Sequence, residues 1–155
     1  MIEARGDTAR AIPVVRESLG LLTAFRPPTD GNVVLTRRIL AIELCATGAF
    51  AEGDSVIRTA IASAPLDTTQ FAPYRVRAAR GFCLMRARKF AEAEPLLLEA
   101  ESRFRAMGSP PAKRYGAQTI GWLATLYEPW GQAQQPRVAR PTSRGERSQT
   151  GPSAV

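Results

Sequence analysis

At 155 residues the chain has room for one domain or a short array of repeated units, and 45% hydrophobic residues are enough to build a core. Its 21 basic and 14 acidic residues leave a net charge of +7, carried almost wholly by arginine, since only Lys89 and Lys113 are lysines. The absence of histidine excludes a histidine general base and most metal chemistry, and no apolar run approaches the roughly 20 residues of a membrane span.

The segment Met1 to Asp7 has charges but no apolar stretch behind them, so no secretory leader is expected and a cytoplasmic location is. Residues 8 to 25 read as a helix, followed by turn chemistry in Arg26-Pro27-Pro28-Thr29-Asp30-Gly31-Asn32. In residues 34 to 47, Leu35, Ile39, Ile42 and Cys45 fall at helical spacings, and Gly48 closes the element. Residues 51 to 64 form the next helix, with Val56, Ile57, Ala60, Ile61 and Ala64 on one side and Pro65 as the stop. After the linker from Pro65 to Pro73 come a helix from about Tyr74 to Arg88, a turn at Lys89-Phe90, and a helix from Ala91 to Met107 closed by Gly108. A last helix is expected from about Lys113 to Tyr127, ending in a turn at Glu128-Pro129-Trp130-Gly131. No stretch alternates long enough to make a strand, so the expected class is all-α. From 137 to 155 the chain is arginine-, proline- and glycine-rich with almost no large apolar residue, and a disordered basic tail is expected there.

The helices repeat. Phe90-Ala91-Glu92-Ala93-Glu94-Pro95-Leu96-Leu97 answers Phe50-Ala51-Glu52-Gly53-Asp54-Ser55-Val56-Ile57, and Ala9-Arg10-Ala11-Ile12-Pro13-Val14-Val15 and Trp130-Gly131-Gln132-Ala133 continue the series at spacings of 40 to 42. Two helices per unit, with small residues where they cross, resemble tetratricopeptide repeats in the longer form of kinesin-light-chain-type arrays. Gly81, Ala93, Leu97 and Ala100 occupy the signature places in one unit; Ala41, Gly53, Ile57, Ala60 and Pro65 do so in the preceding one. Gly121 and Ala133 start a third match. The early aromatic positions of the pattern are instead Arg37 and Arg77, and a HEAT-like pair has the same period.

The resemblance implies an α-solenoid over residues 1–136, with full repeats at 34–64 and 74–107 and a partial repeat at 113–136. In that register residues 8–25 are a second helix without its first. The chain is therefore expected to be the C-terminal piece of something longer, or its start to be misassigned; if the orphan helix is real, its bare apolar face is the expected docking or self-association surface.

Candidate chemistry is sparse. Cys45 and Cys83 lie at apolar helix positions and are expected to be buried free thiols rather than a bridge. Glu92, Glu94, Glu99 and Glu101 read as a solvated helix face; Ser18, Ser55 and Ser63 have no base to activate them; the Gly48–Gly53 segment lacks the ending of a phosphate loop. No catalytic site, cofactor or metal is expected.

What the resemblance implies is a concave groove lined by first helices that holds a partner's peptide or helix. Carried across, its faces are Arg38, Ile39 and Ile42, then Arg75, Ala79, Phe82, Met85 and Arg86, then Tyr115, Gln118, Trp122 and Thr125. Arginines among aromatics suit a protein segment bearing acidic and apolar side chains. Phe82, Met85 and Trp122 equally fit a role packing between helices. The asparagines of the carboxylate-clamp repeats are missing near Ile42 and Ala79. Two other readings stand beside the scaffold. Leu126-Tyr127-Glu128-Pro129-Trp130-Gly131 resembles the last repeats after bacterial serine/threonine kinase domains, which would make the chain a regulatory tail. Arg75, Arg77, Arg80, Arg86 and Arg88 could bind nucleic acid, although they spread around their helix instead of forming a stripe.

Overall fold

The computed structural model describes the backbone of residues 2–134 and the side chains of residues 6–131. The six helices among the described residues are α1 (Ile2–Phe25), α2 (Gly31–Ala46), α3 (Phe50–Ser63), α4 (Ala72–Arg86), α5 (Phe90–Met107) and α6 (Pro110–Gln134), with no strand. The expected tail at 137–155 lies outside the described residues.

Local chemistry sets the boundaries. Asp30 caps α2, its carboxylate accepting from the amides of Asn32 at 2.9 Å and Val33 at 3.4 Å. Gly108 ends α5 in the left-handed region, at φ 64°. The turns after α2 and α4 are the same turn 40 residues apart. Thr47, Gly48 and Ala49 donate to Glu43, Cys45 and Leu44; Ala87, Arg88 and Lys89 donate to Cys83, Met85 and Leu84. The central residue is left-handed in both, Gly48 at φ 96° and Arg88 at φ 63°. One expected turn is absent: α6 continues through Glu128-Pro129-Trp130-Gly131 to Gln134. Proline removes one helical hydrogen bond but does not by itself reverse the chain.

Burial repeats with the sequence. Gly53, Ile57 and Ala60 are the buried residues of α3; Ala93, Leu97 and Ala100, together with Phe104, are those of α5. Each of these helices packs on the first helix before it and the one after it. In succession α2 touches α4 and α4 touches α6, whereas α1, α3 and α5 make no backbone contact with one another. An Arg16–Glu52 ion pair links α1 to α3. α2, α4 and α6 therefore share one side of the stack, its inner face, and α3 and α5 lie on the other. On the outside, α1 rests on α2 and leaves Val14, Leu21 and Phe25 exposed.

Cys45 and Cys83 form a disulfide, correcting the expectation of free thiols. They sit on α2 and α4, which stack directly, with Cα atoms 5.2 Å apart. Their separation of 38 residues is two short of the repeat, which sets them diagonally across the helix contact, where two Cys side chains meet. Gly53 makes room beneath them, because a methyl group there would strike Cys45 Sγ.

Two predictions follow the packing. A methyl group on Gly81 would lie 2.8 Å from Leu97 Cγ and Cδ2, whereas one on Gly121 meets nothing within 4 Å. Gly81→Ala should therefore destabilise by about 1–3 kcal/mol, while Gly121→Ala should stabilise by about 0.5–1 kcal/mol. Shifts of the same sign in urea unfolding would refute the crossing. The bridge closes a loop whose constraint contributes roughly 4 kcal/mol by chain entropy. A thiol reagent added to unreduced, denatured protein should find no free thiol, and Cys45→Ala with Cys83→Ala should cost about 2–4 kcal/mol.

Candidate functional site

The inner side is lined by positions seven apart: Leu35 and Ile42 on α2, Arg75 and Phe82 on α4, Tyr115 and Trp122 on α6. Equivalent residues of neighbouring units meet across it. Arg75 Nη1 donates to the Tyr115 hydroxyl at 3.4 Å, and the Phe82 and Trp122 rings lie 4.9 Å apart. These pairs are separated by 40 residues, the period of the sequence.

At one end of this face the charges concentrate. Arg38 is 6% exposed; its Nε donates to the carbonyl of Arg75 at 3.2 Å and its Nη2 to Gln118 Oε1 at 2.6 Å. It thereby joins α2 to α6 across α4. Its guanidinium stands 5.0 Å from the centre of the Tyr115 ring, those of Arg75 and Arg114 at 5.7 and 5.9 Å. Phe71 stacks on Tyr115 at 5.8 Å and carries Arg75 over its own ring. Leu35, Ile39, Arg38, Arg114, Tyr115 and Gln118 line an open cavity of about 370 Å³.

The electrostatics are one-sided. None of the ion pairs among the described residues involves Arg38, Arg75 or Arg114. Arg75 Nε is buried without an acceptor. Burial pulls the Arg38 pKa down to about 10, with Tyr115 opposing and Arg75 adding to the effect. Burial pushes the Tyr115 phenol up, but the Arg75 hydrogen bond, the charges of Arg75 and Arg38, and a hydrogen bond from Arg114 outweigh it and hold the pKa below the ordinary value.

Of the expected groove residues, the structure gathers Arg38, Arg75, Tyr115 and Gln118 into one cluster. Phe82 and Trp122 form the half-buried aromatic floor beside it, and Ile39 and Thr125 are exposed. Ile42 is half-buried against the core between α2, α3 and α4. Arg86 is exposed at the far end, donating to the carbonyl of Ala46 at 3.2 Å. Two expectations are corrected: Met85 and Ala79 are core residues, 5% and 0% exposed, because both face neighbouring helices within the stack. Sequence reasoning missed Arg114 and Phe71. Arg114 neighbours Tyr115, and Phe71 sits in the linker before α4, so neither carries a periodic signal.

The arginines of α4 do not make a phosphate-tracking stripe. Arg77 is tied to the carbonyl of Pro73 and Arg80 pairs with Asp54, on faces other than that of Arg75. Among the described residues no group of His, Cys, Asp or Glu could hold a metal ion, and no helix is long and apolar enough to cross a membrane. Compared with family models, with curated proteins and with solved structures, the chain matches none.

The tyrosines should titrate apart. Tyr127, whose hydroxyl donates to Glu94 Oε1 at 2.6 Å, is pushed up to about 12 chiefly by that bond. Tyrosinate absorbance should show Tyr115 ionising below the ordinary value and Tyr127 above it, and Glu94→Gln should bring Tyr127 down. Because the folded state keeps the Tyr127 proton longer than the unfolded chain, its contribution to stability is complete below pH 10 and lost as pH rises towards 12.

Proposed function

We propose that the chain is a tetratricopeptide-like solenoid acting as a non-catalytic scaffold, which holds a peptide or helix of a protein partner on the face formed by α2, α4 and α6. One observation carries this reading. Equivalent side chains of successive units, Arg75 with Tyr115 and Phe82 with Trp122, meet at a constant offset of 40 residues along that face. Repetition of this kind makes a continuous surface rather than a single enclosed pocket.

The surface has two chemistries in line. The arginine cluster lies at one end, and Phe82 and Trp122 follow seven residues on, about 10 Å along the helices. A partner segment with an acidic group spaced from an apolar one matches both. Location enters through the bridge: disulfides persist in oxidising compartments, so cytoplasmic residence predicts a reduced Cys45–Cys83 pair in cells.

Panning a random peptide library on the purified chain should yield peptides that pair acidic with apolar residues and quench or shift Trp122 fluorescence on binding. Ile39 and Arg86 are exposed, so Ile39→Asp with Arg86→Glu should leave melting unchanged yet weaken these peptides by roughly tenfold or more. Selected peptides that bind the double variant as tightly would remove the groove reading.

A further inference from the structure

We infer that the cluster of Arg38, Arg75, Arg114 and Tyr115 is a binding site for a phosphate monoester dianion, carried by the segment that occupies the groove. The inference rests on the groove reading for the carrier and on the cluster alone for the anion.

Three guanidinium groups surround one phenol, and none of the described carboxylates pairs with any of them. Arg38 is almost wholly buried, and the acceptors it reaches, the carbonyl of Arg75 and the amide of Gln118, are both neutral. A buried cation satisfied only by neutral dipoles remains costly until an anion arrives. Arg38, Arg114 and Tyr115 line the cavity that would receive one. Arg75 Nε is buried with no acceptor. The Tyr115 hydroxyl accepts from Arg75, which leaves its own proton to donate. Arg114 is exposed at the mouth of the cavity and supplies a planar fork.

Charge and donor number select the ligand class. A single carboxylate brings one charge and two oxygens to three arginines. A phosphate monoester brings close to two charges and three terminal oxygens, each able to accept from more than one guanidinium. The cavity of about 370 Å³ is open and part apolar through Leu35 and Ile39, which suits a phosphorylated side chain arriving from the groove.

The chain offers an unusually clean test because it has no histidine. No side chain with an ordinary pKa titrates between about pH 5 and 7.5, whereas a phosphate monoester gains its second charge near pH 6. Calorimetric titrations at constant ionic strength would compare O-phosphoserine, free glutamate, a phosphoserine peptide carrying an apolar residue, and its unphosphorylated form. O-phosphoserine should bind, more tightly as pH rises through about 6, and should raise the pKa of Tyr115 by neutralising its arginines. Arg114→Gln, at an exposed position, and Arg75→Gln should each weaken it by roughly tenfold or more.

Glutamate binding as tightly as O-phosphoserine, an affinity flat across that pH range, or an unaltered Arg114→Gln variant would each overturn the inference. A phosphopeptide tighter than O-phosphoserine supports a protein carrier. Equal affinities keep the anion site but overturn its groove-borne carrier, and identify its occupant as a small phosphorylated molecule. Unphosphorylated peptides that fill the groove, with no gain from phosphorylation, leave the groove reading standing and overturn the phosphate site.

Discussion

Where α4 crosses α5, Gly81 faces Leu97 with no room for a methyl group, and Ala93 lies beside the crossing. One unit earlier Gly53, the equivalent of Ala93, lies against Cys45 and the carbonyl of Ala41, which is the equivalent of Gly81. Small residues at these crossings let the backbones approach, and the larger Ile57, Leu97 and Phe104 fill the grooves on either side. The second helix of each unit is thus wedged between two first helices, and the first helices are drawn against each other. The inner face, with its meetings of residue and equivalent residue, is a consequence of that approach. A larger side chain at the crossing would separate α4 from α5 and pull apart the ladder that sets Arg75 on Tyr115.

The cationic cluster is rigid for the same reason. Arg38 is fixed at both ends of its guanidinium by groups on two other helices, and the helix that carries it is capped by Asp30 and bridged to α4 through Cys45 and Cys83. Pre-organisation of this kind removes most of the entropy cost of ordering arginines around a ligand. It also concentrates like charge. Arg75 depresses the Arg38 pKa, and the two arginines hold Tyr115 below its ordinary value. The folded state tolerates that repulsion because aromatic faces lie against the guanidinium planes, which stabilises a cation without neutralising it.

Much of this architecture was legible in the sequence. The helix pairs between 34 and 107 emerged from apolar spacing, from Gly48 and Gly108 as stops, and from the 40-residue echo of Phe50-Ala51-Glu52 in Phe90-Ala91-Glu92. The burial of Gly53, Ile57 and Ala60, repeated in Ala93, Leu97 and Ala100, follows from that pattern. Other features depend on distances that a one-dimensional period does not contain. Cys45 and Cys83 are two residues out of register, so the repeat alone put them at different heights; only the stagger of α2 against α4 brings them together. Met85 sits in a groove-facing place of the general pattern, but here it joins the buried cluster built by α4, α5 and α6. Pro129 suggested a turn because the preceding units turn there, yet α6 has the helix-forming Gln132, Ala133 and Gln134 beyond it and, among the described residues, no αL residue to reverse the chain.

Arg88 shows how far the repeat governs the backbone. It occupies the left-handed place that Gly48 takes one unit earlier, at φ 63° against 96°, although an arginine pays a steric penalty of roughly 1–2 kcal/mol there. The three amide hydrogen bonds of the turn are retained, and the guanidinium settles 5.3 Å from the centre of the Phe90 ring. Tertiary packing on both sides of the turn therefore dictates its geometry, and the side chain adapts. The same logic applies on the inner face. Position 38 corresponds to Ala78 and Gln118 in the later units, where a small or neutral residue fits without cost. A buried arginine in that one unit is not required by the repeat; among the described residues it gains no carboxylate in exchange for its desolvation. Packing alone does not account for that buried cation, whereas an anion bound beside it would.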